Sequence, residues 1–199
     1  MSGKKVRKLK TEKEMETERS TAKKGQGEES RPEESGPGTG QRKKYIAYGS
    51  NLNLAQMARR CPTAVVAGIG ELKDHELLFR GRRQSAVATV EPKEGASVPV
   101  LIWEIGPEDE KNLDVYEGYP RLYDKKDLLV ETEGRQEHIM AYVMQDGREI
   151  GSPSSAYLET IAIGYLEAGF DVERLAQSVA NCADLVDQEE GTWNQQLFS

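Results

Sequence analysis

The sequence predicts an α+β domain built on a mainly antiparallel sheet, of the kind that closes as a small β-barrel with flanking helices. Three features carry that prediction. Strand-like segments with short local connections come first, helical periodicity takes over in the last third, and no internal repeat interrupts the order. Ahead of them lies a stretch of another kind: up to Lys44 there is no aromatic residue, and Val6 and Leu9 are the only branched aliphatics. Such a segment cannot offset the entropy of ordering its backbone. Residues 1–43 therefore read as a disordered, charged tail and residues 44–199 as one domain.

Charge divides at the same point. Thirteen basic and eight acidic residues lie up to Lys44, a net of +5, so the chain's net of −7 leaves −12 for the rest. An acidic domain is a poor partner for a phosphate backbone, and no nucleic acid is expected as ligand. The positive N-terminus is followed by no apolar run, so no signal peptide is expected, and no stretch is long and apolar enough to predict a membrane span. Cys61 and Cys182 stand apart, outside any CxxC pattern, which fits reduced thiols and a cytoplasmic location.

The elements follow in order. Lys44 to Tyr48 reads as a first strand broken by Gly49-Ser50. Asn53 and Gln56 have capping-box spacing for a short helix over Leu54 to Arg60, stopped where Cys61 meets Pro62. The apolar stretches within Thr63 to Arg80 suit one bent strand or two. Ala86 to Val90 and Val98 to Ile105 read as two strands, separated by a turn at Pro92-Lys93-Glu94-Gly95. Pro107 and the acidic Glu108-Asp109-Glu110 open a helix that Gly118 and Pro120 end. Tyr123 to Glu131 and Gln136 to Met144 form a hairpin about Glu133-Gly134. Ser152-Pro153 caps a helix in which Tyr157, Ile161, Tyr165 and Ala168 share a face and which Gly169 closes. Asp171 opens the last helix, with Leu175, Val179 and Cys182 at helical spacing.

Two segments are candidates for chemistry. A strand ending in Gly49-Ser50-Asn51 just before a helix presents consecutive backbone N–H groups, suited to a carboxylate or an oxyanion; the same pattern also describes an ordinary strand-to-helix turn. It lacks the GxxxxGK[ST] of a phosphate loop. In Leu113-Asp114-Val115-Tyr116-Glu117-Gly118, Glu117 falls at the C-terminal end of its helix, where the dipole disfavours a further negative charge. Burial there raises its pKa towards the range of a general base, whereas exposure leaves it an ordinary surface glutamate. All eight tyrosines lie in the folded part, mostly beside turns and helix starts, and each alone suits a core ring with a wet hydroxyl. His75 lies in a charged run and His138 in mid-strand, so neither builds a triad and the two give little material for a catalytic metal site.

Taken together, "YIAYGSNLN", "LDVYEGYPRLY" and "SPSSAYLETIAIGY", in this order and spacing, resemble the gamma-glutamylcyclotransferase family, including its AIG2-like bacterial members. The resemblance runs from about Tyr45 to Gly169. It implies a small β-barrel with flanking helices, and a loop of Tyr48, Gly49, Ser50, Asn51 and Leu52 that holds a γ-glutamyl group through backbone N–H groups. It also implies a catalytic general acid/base at Glu117, with Tyr123 and Tyr157 bordering the pocket. The implied partner is a small γ-glutamyl substrate converted to 5-oxoproline and a free amine, with neither metal nor cofactor. A γ-glutamyl amino acid, γ-glutamyl-ε-lysine and a polyamine conjugate all fit that chemistry, and a ligand-binding module without turnover is the reading from another class. Val100 stands where many members have glycine, a place where the pocket is expected to narrow. The basic segment Arg80 to Arg83 is unusual and reads first as a solvated turn, with a substrate-facing loop for an acidic group as the alternative.

Overall fold

A computed structural model describes the backbone of residues 41–197 and the side chains of residues 41–188. The predicted tail lies, up to residue 40, outside the described residues. Five strands form a closed barrel: β1 (Lys43–Ala47), β2 (Val65–Arg80), β3 (Val87–Ile105), β4 (Tyr123–Thr132) and β5 (Arg135–Met144), in spatial order β1-β3-β2-β4-β5. Every ladder is antiparallel except the closing one, where Tyr45 of β1 meets Met140 of β5 in parallel. The fold class read from the sequence is the one observed.

Among the described residues four helices flank the barrel: α1 (Leu54–Arg60), α2 (Pro107–Glu117), α3 (Ser155–Ala168) and α4 (Val172–Leu197). The capping signals act as read. Asn53 accepts from the Gln56 backbone N–H at 2.9 Å, Gly118 ends α2 in the left-handed region at φ 65°, and Glu133 and Gly134 both take positive φ in the two-residue hairpin turn. The cap of α3 moves slightly: Ser154, after the expected Ser152-Pro153, accepts from the Tyr157 N–H at 3.3 Å.

One expected break is absent. Pro92-Lys93-Glu94-Gly95 does not separate two strands, because β3 runs through it as one element paired along the whole of β2. The register passes from Lys73↔Ser97 to His75↔Pro92, so the extra residues of β3 bulge out opposite Asp74. There Gly95, at φ 76°, donates its N–H to Asp74 Oδ1 at 2.9 Å. A long partner strand carries the ladder across turn-forming residues that alone would end it.

The core fills the barrel and the space under α3, with Phe79, Ile46, Leu52, Ile105, Ile161 and Tyr165 fully enclosed. Among the described residues no helix is long and apolar enough to cross a membrane. Cys61 and Cys182 are both buried free thiols.

Candidate active site

β1 delivers the chain into a single 3-10 turn, Ser50–Leu52, closed by Leu52 N–H to Gly49 O at 3.0 Å and Asn53 N–H to Ser50 O at 3.2 Å. Two contacts fix this turn from outside. Trp103 of β3 donates its indole N–H to Asn51 O at 3.1 Å. On the other side α3 packs so close that a Cβ on Gly164 falls 2.5 Å from Leu52 Cβ and 2.7 Å from Asn53 N. Glycine lets helix and turn backbones approach to that distance, and any side chain forces them apart.

The turn faces the last residue of α2. Asn51 Nδ2 donates to Glu117 Oε1 at 2.8 Å and to Tyr45 Oη at 2.7 Å, joining residues 66 and 6 positions away in the chain. Gly49, Ser50 and Asn51, together with Glu117, Ala88 and five tyrosines, wall a pocket of about 30 Å³.

Three of the tyrosines are tied to backbone. Tyr123 donates to Ala88 O at 2.6 Å, Tyr157 accepts from the Ala88 N–H at 3.2 Å, and Tyr48 donates to Tyr142 O. At the rim, half-exposed Tyr116 lies 3.1 Å from Ser50 Oγ through its hydroxyl. Burial, and after it the neighbouring charges, raise the phenol pKa of Tyr45, Tyr48 and Tyr123. Burial also pushes Tyr157 up to about 12. Near neutral pH they are hydrogen-bonding phenols and not phenolates.

Glu117 carries the opposite consequence of the same enclosure. Burial pushes its pKa up to about 7, against the pull of the Asn51 hydrogen bond and the Arg60 charge. Its place at the C-terminal end of α2 acts in the same direction as burial. A carboxyl that titrates near pH 7 takes up and returns a proton with little bias either way.

The structure thus brings together Tyr48, Gly49, Ser50, Asn51, Glu117, Tyr123 and Tyr157 as the sequence grouped them. Leu52 is the exception: it is wholly buried under Gly164 with its N–H committed to Gly49 O, and it does not line the pocket. Val100 does not line it either; it sits in the core opposite Gly70, where the facing residue has no side chain to displace. Arg80 ion-pairs with Glu91, donates to Arg148 O at 2.9 Å and borders a separate cavity of about 450 Å³. His75 borders that same cavity and His138 a third one, away from Glu117. Among the described residues no three His, Cys, Asp or Glu side chains gather as a metal-binding group.

Arg60 and Tyr45 escaped the sequence reading. Arg60 reaches Asn51 Oδ1 and Ser50 Oγ from the end of α1, and the available signal was its place one turn after Gln56 on the capped helix. Tyr45 was legible only as one tyrosine of eight.

The closed five-strand barrel with its flanking helices is shared with a solved cyclotransferase structure. A solved structure titled Gamma-glutamyl cyclotransferase superposes with a TM-score of 0.64 at 24% identity, covering 74% of this chain and 99% of that one. The crystal structure of an uncharacterized protein from Homo sapiens gives 0.62 at 26% identity, covering 69% and 86%. In sequence, the chain is 30% identical over 138 residues to Gamma-glutamylcyclotransferase of Mus musculus and 29% identical to that of Bos taurus, in each case over 65% of this chain and 73% of the relative. The family model for Gamma-glutamyl cyclotransferase, AIG2-like, matches residues 45–160, and the chain belongs to that family.

Proposed function

We propose that this chain is a γ-glutamyl cyclotransferase that converts a γ-glutamyl amino acid or amine into 5-oxoproline and the free amine, with Glu117 as its one acid/base. The observation that carries the proposal is the buried carboxyl of Glu117, with its pKa near 7, set 2.8 Å from the turn whose residues wall the same pocket.

The substrate's α-ammonium, with a reference pKa of about 8, has no lone pair until a base removes a proton. Glu117 takes that proton. The freed amine attacks the γ-carbonyl carbon of its own molecule, forming the ring C–N bond while the carbonyl oxygen gains negative charge. Collapse breaks the bond to the outer nitrogen as Glu117-H returns its proton to it. The ring nitrogen, cationic after attack, then gives up its second extra proton through the same carboxylate, and the freed amine leaves as its ammonium ion. One carboxyl serves every transfer and ends as it began. Nucleophile and electrophile share one chain, so the site's main work is to fold that chain into attack geometry, which is worth several kcal/mol in intramolecular reactions.

The Gly49 to Asn51 turn is the proposed cradle, its backbone N–H groups facing the substrate carboxylate or the developing oxyanion. The phenols of Tyr123 and Tyr157 border the bound chain. The test is to incubate the protein with γ-glutamyl dipeptides, γ-glutamyl-ε-lysine, a γ-glutamyl polyamine and glutathione, and to follow 5-oxoproline. Release from at least one of them that Glu117→Gln abolishes is the expected result, and the best substrate names the leaving amine. Release by Glu117→Gln at the wild-type rate overturns the mechanism, and no release from any substrate favours a binding module.

A further inference from the structure

Arg60 does not line the pocket, yet it holds the two turn residues that do. Its Nη2 donates to Gln56 Oε1 at 2.9 Å, one turn back along α1, and its Nη1 donates to Asn51 Oδ1 at 2.5 Å and to Ser50 Oγ at 3.3 Å. The guanidinium carbon lies 3.6 Å from the centre of the Tyr116 ring, and the Tyr116 hydroxyl returns to Ser50 Oγ. A planar fork held by three oxygens and an aromatic face has little freedom left.

The orientation of Asn51 follows from this. An asparagine amide has nearly the same shape either way round, and only its partners decide which end is oxygen. Guanidinium groups only donate, so the end that meets Arg60 is Oδ1. Both hydrogens of Nδ2 then point to Tyr45 Oη and Glu117 Oε1, which accounts for every polar atom of the side chain. A flipped amide sets its oxygen against the Glu117 carboxylate and its N–H groups against a cation, and it loses at both ends.

We propose that Arg60 is a positioning residue for the cyclotransfer reaction: by gripping the Asn51 carbonyl oxygen from behind the turn, it commits the Asn51 N–H to the Glu117 carboxylate. The inference rests on the acid/base role of Glu117 proposed above. In consequence the base is held in one rotamer and its ionised form is favoured by a fixed donor and a nearby positive charge. The other ionisable groups that face Glu117 are Tyr45 and Tyr48 from β1 and the residue after it, Cys61 after α1, Tyr123 from β4 and Tyr157 from α3. Burial raises all of them, so each stays neutral near pH 7. Among the described residues Arg60 is the one cation with a resolved pull on Glu117.

The test compares wild type, Arg60→Gln and Arg60→Lys, with Arg59→Ala, an exposed neighbour on the same helix, as the control. Two quantities are followed: the titration of Glu117 by carbon NMR on glutamate-labelled protein, assigned by its loss in Glu117→Gln, and the pH profile of kcat/KM for 5-oxoproline release. Arg60→Gln is expected to raise the Glu117 midpoint by about half a pH unit or more and to move the acidic limb of kcat/KM with it. Lysine keeps the charge but cannot hold Gln56, Asn51 and Ser50 together. Arg60→Lys is therefore expected to restore most of the midpoint while its plateau kcat/KM stays about threefold or more below wild type, with Tm nearly unchanged. A Glu117 midpoint unmoved in Arg60→Gln overturns the proposal and leaves Arg60 a packing residue. If Arg60→Gln does not fold, Arg60→Lys decides, and a plateau equal to wild type overturns it. Wild type without any 5-oxoproline release defeats the cyclotransferase reading instead, and the titration still judges the grip of Arg60 on Asn51 and Glu117.

Discussion

Glu110 and Glu117 stand seven residues apart on α2, roughly two turns of one helix, and their surroundings drive them in opposite directions. Burial would push Glu110 up, but Lys125 at 2.6 Å and Lys43 bond to it directly and hold its pKa below the ordinary value. Glu117 meets burial with no lysine beside it. Its hydrogen-bond partner is the neutral amide of Asn51, and the Arg60 charge reaches it only past that amide, so burial wins and its pKa rises to about 7. The same side chain on the same helix is thus held as an anion at one end and has its pKa raised towards neutral pH at the other. Volume does not make the distinction: the groove that Lys43 and Lys125 border measures about 610 Å³, the Glu117 pocket about 30 Å³. What decides it is desolvation without a neutralising partner.

Substituting each glutamate in turn sets the comparison at its widest. Glu117→Gln is expected to cut kcat for 5-oxoproline release by at least about a hundredfold, the usual contribution of a positioned acid/base, while Glu110→Gln leaves it within about twofold. Equal losses in the two variants would mean that the environment of α2 makes no difference to function.

A smaller but still large effect is expected at Gly164. Alanine there gains up to about 1 kcal/mol in helix propensity, but its Cβ meets Leu52 and the backbone N of Asn53 at under 3 Å, and overpacking of that kind costs about 1–3 kcal/mol. Thermal unfolding of Gly164→Ala should therefore show a lower Tm. KM should rise as well, because the displaced element is the turn that walls the pocket. A Tm equal to or above wild type would show that α3 does not brace the turn.

The third effect is on stability and has a definite sign. Glu117 binds its proton more tightly in the folded chain, about 7 against the ordinary 4.5, so its contribution is complete below about pH 4.5 and is lost as pH rises towards 7. Glu117→Gln removes a charge that burial disfavours while keeping an acceptor for Asn51. At pH 8 it should stabilise the protein by at most about 3 kcal/mol, and near pH 4.5 by almost nothing. Urea unfolding at the two pH values measures the difference. Glu110→Gln should do the reverse on a smaller scale, losing ion pairs that are worth about 1 kcal/mol or less at this exposure.

Much of this contrast could be read along the chain. Glu117 declared itself by its place at a helix C-terminus ahead of Gly118 among tyrosines, and the Gly49-Ser50-Asn51 turn by its place between a strand and a capped helix. Each remained ambiguous alone, because burial is a tertiary quantity that a local pattern does not report. The continuity of β3 through Pro92 to Gly95 depends on a partner strand, and the nearness of Gly164 to Leu52 on how a late helix crosses an early turn. The grip of Arg60 on Asn51 spans only nine residues, yet it needs the turn and α1 folded back on each other before it exists. The sequence reading also assigned the turn's work to backbone N–H groups and did not foresee the Asn51 side chain as the link to Glu117. It placed Leu52 with the pocket because it adjoins the motif, whereas the 3-10 turn rotates it into the core.

The most direct test of the whole account is the titration of the Glu117 carboxyl in the wild-type protein, followed by carbon NMR and assigned against Glu117→Gln. A midpoint near 7, well above the ordinary glutamate value, is the predicted result. A midpoint below 5, in the ordinary carboxylate range, would contradict the claim that this end of the helix holds a base.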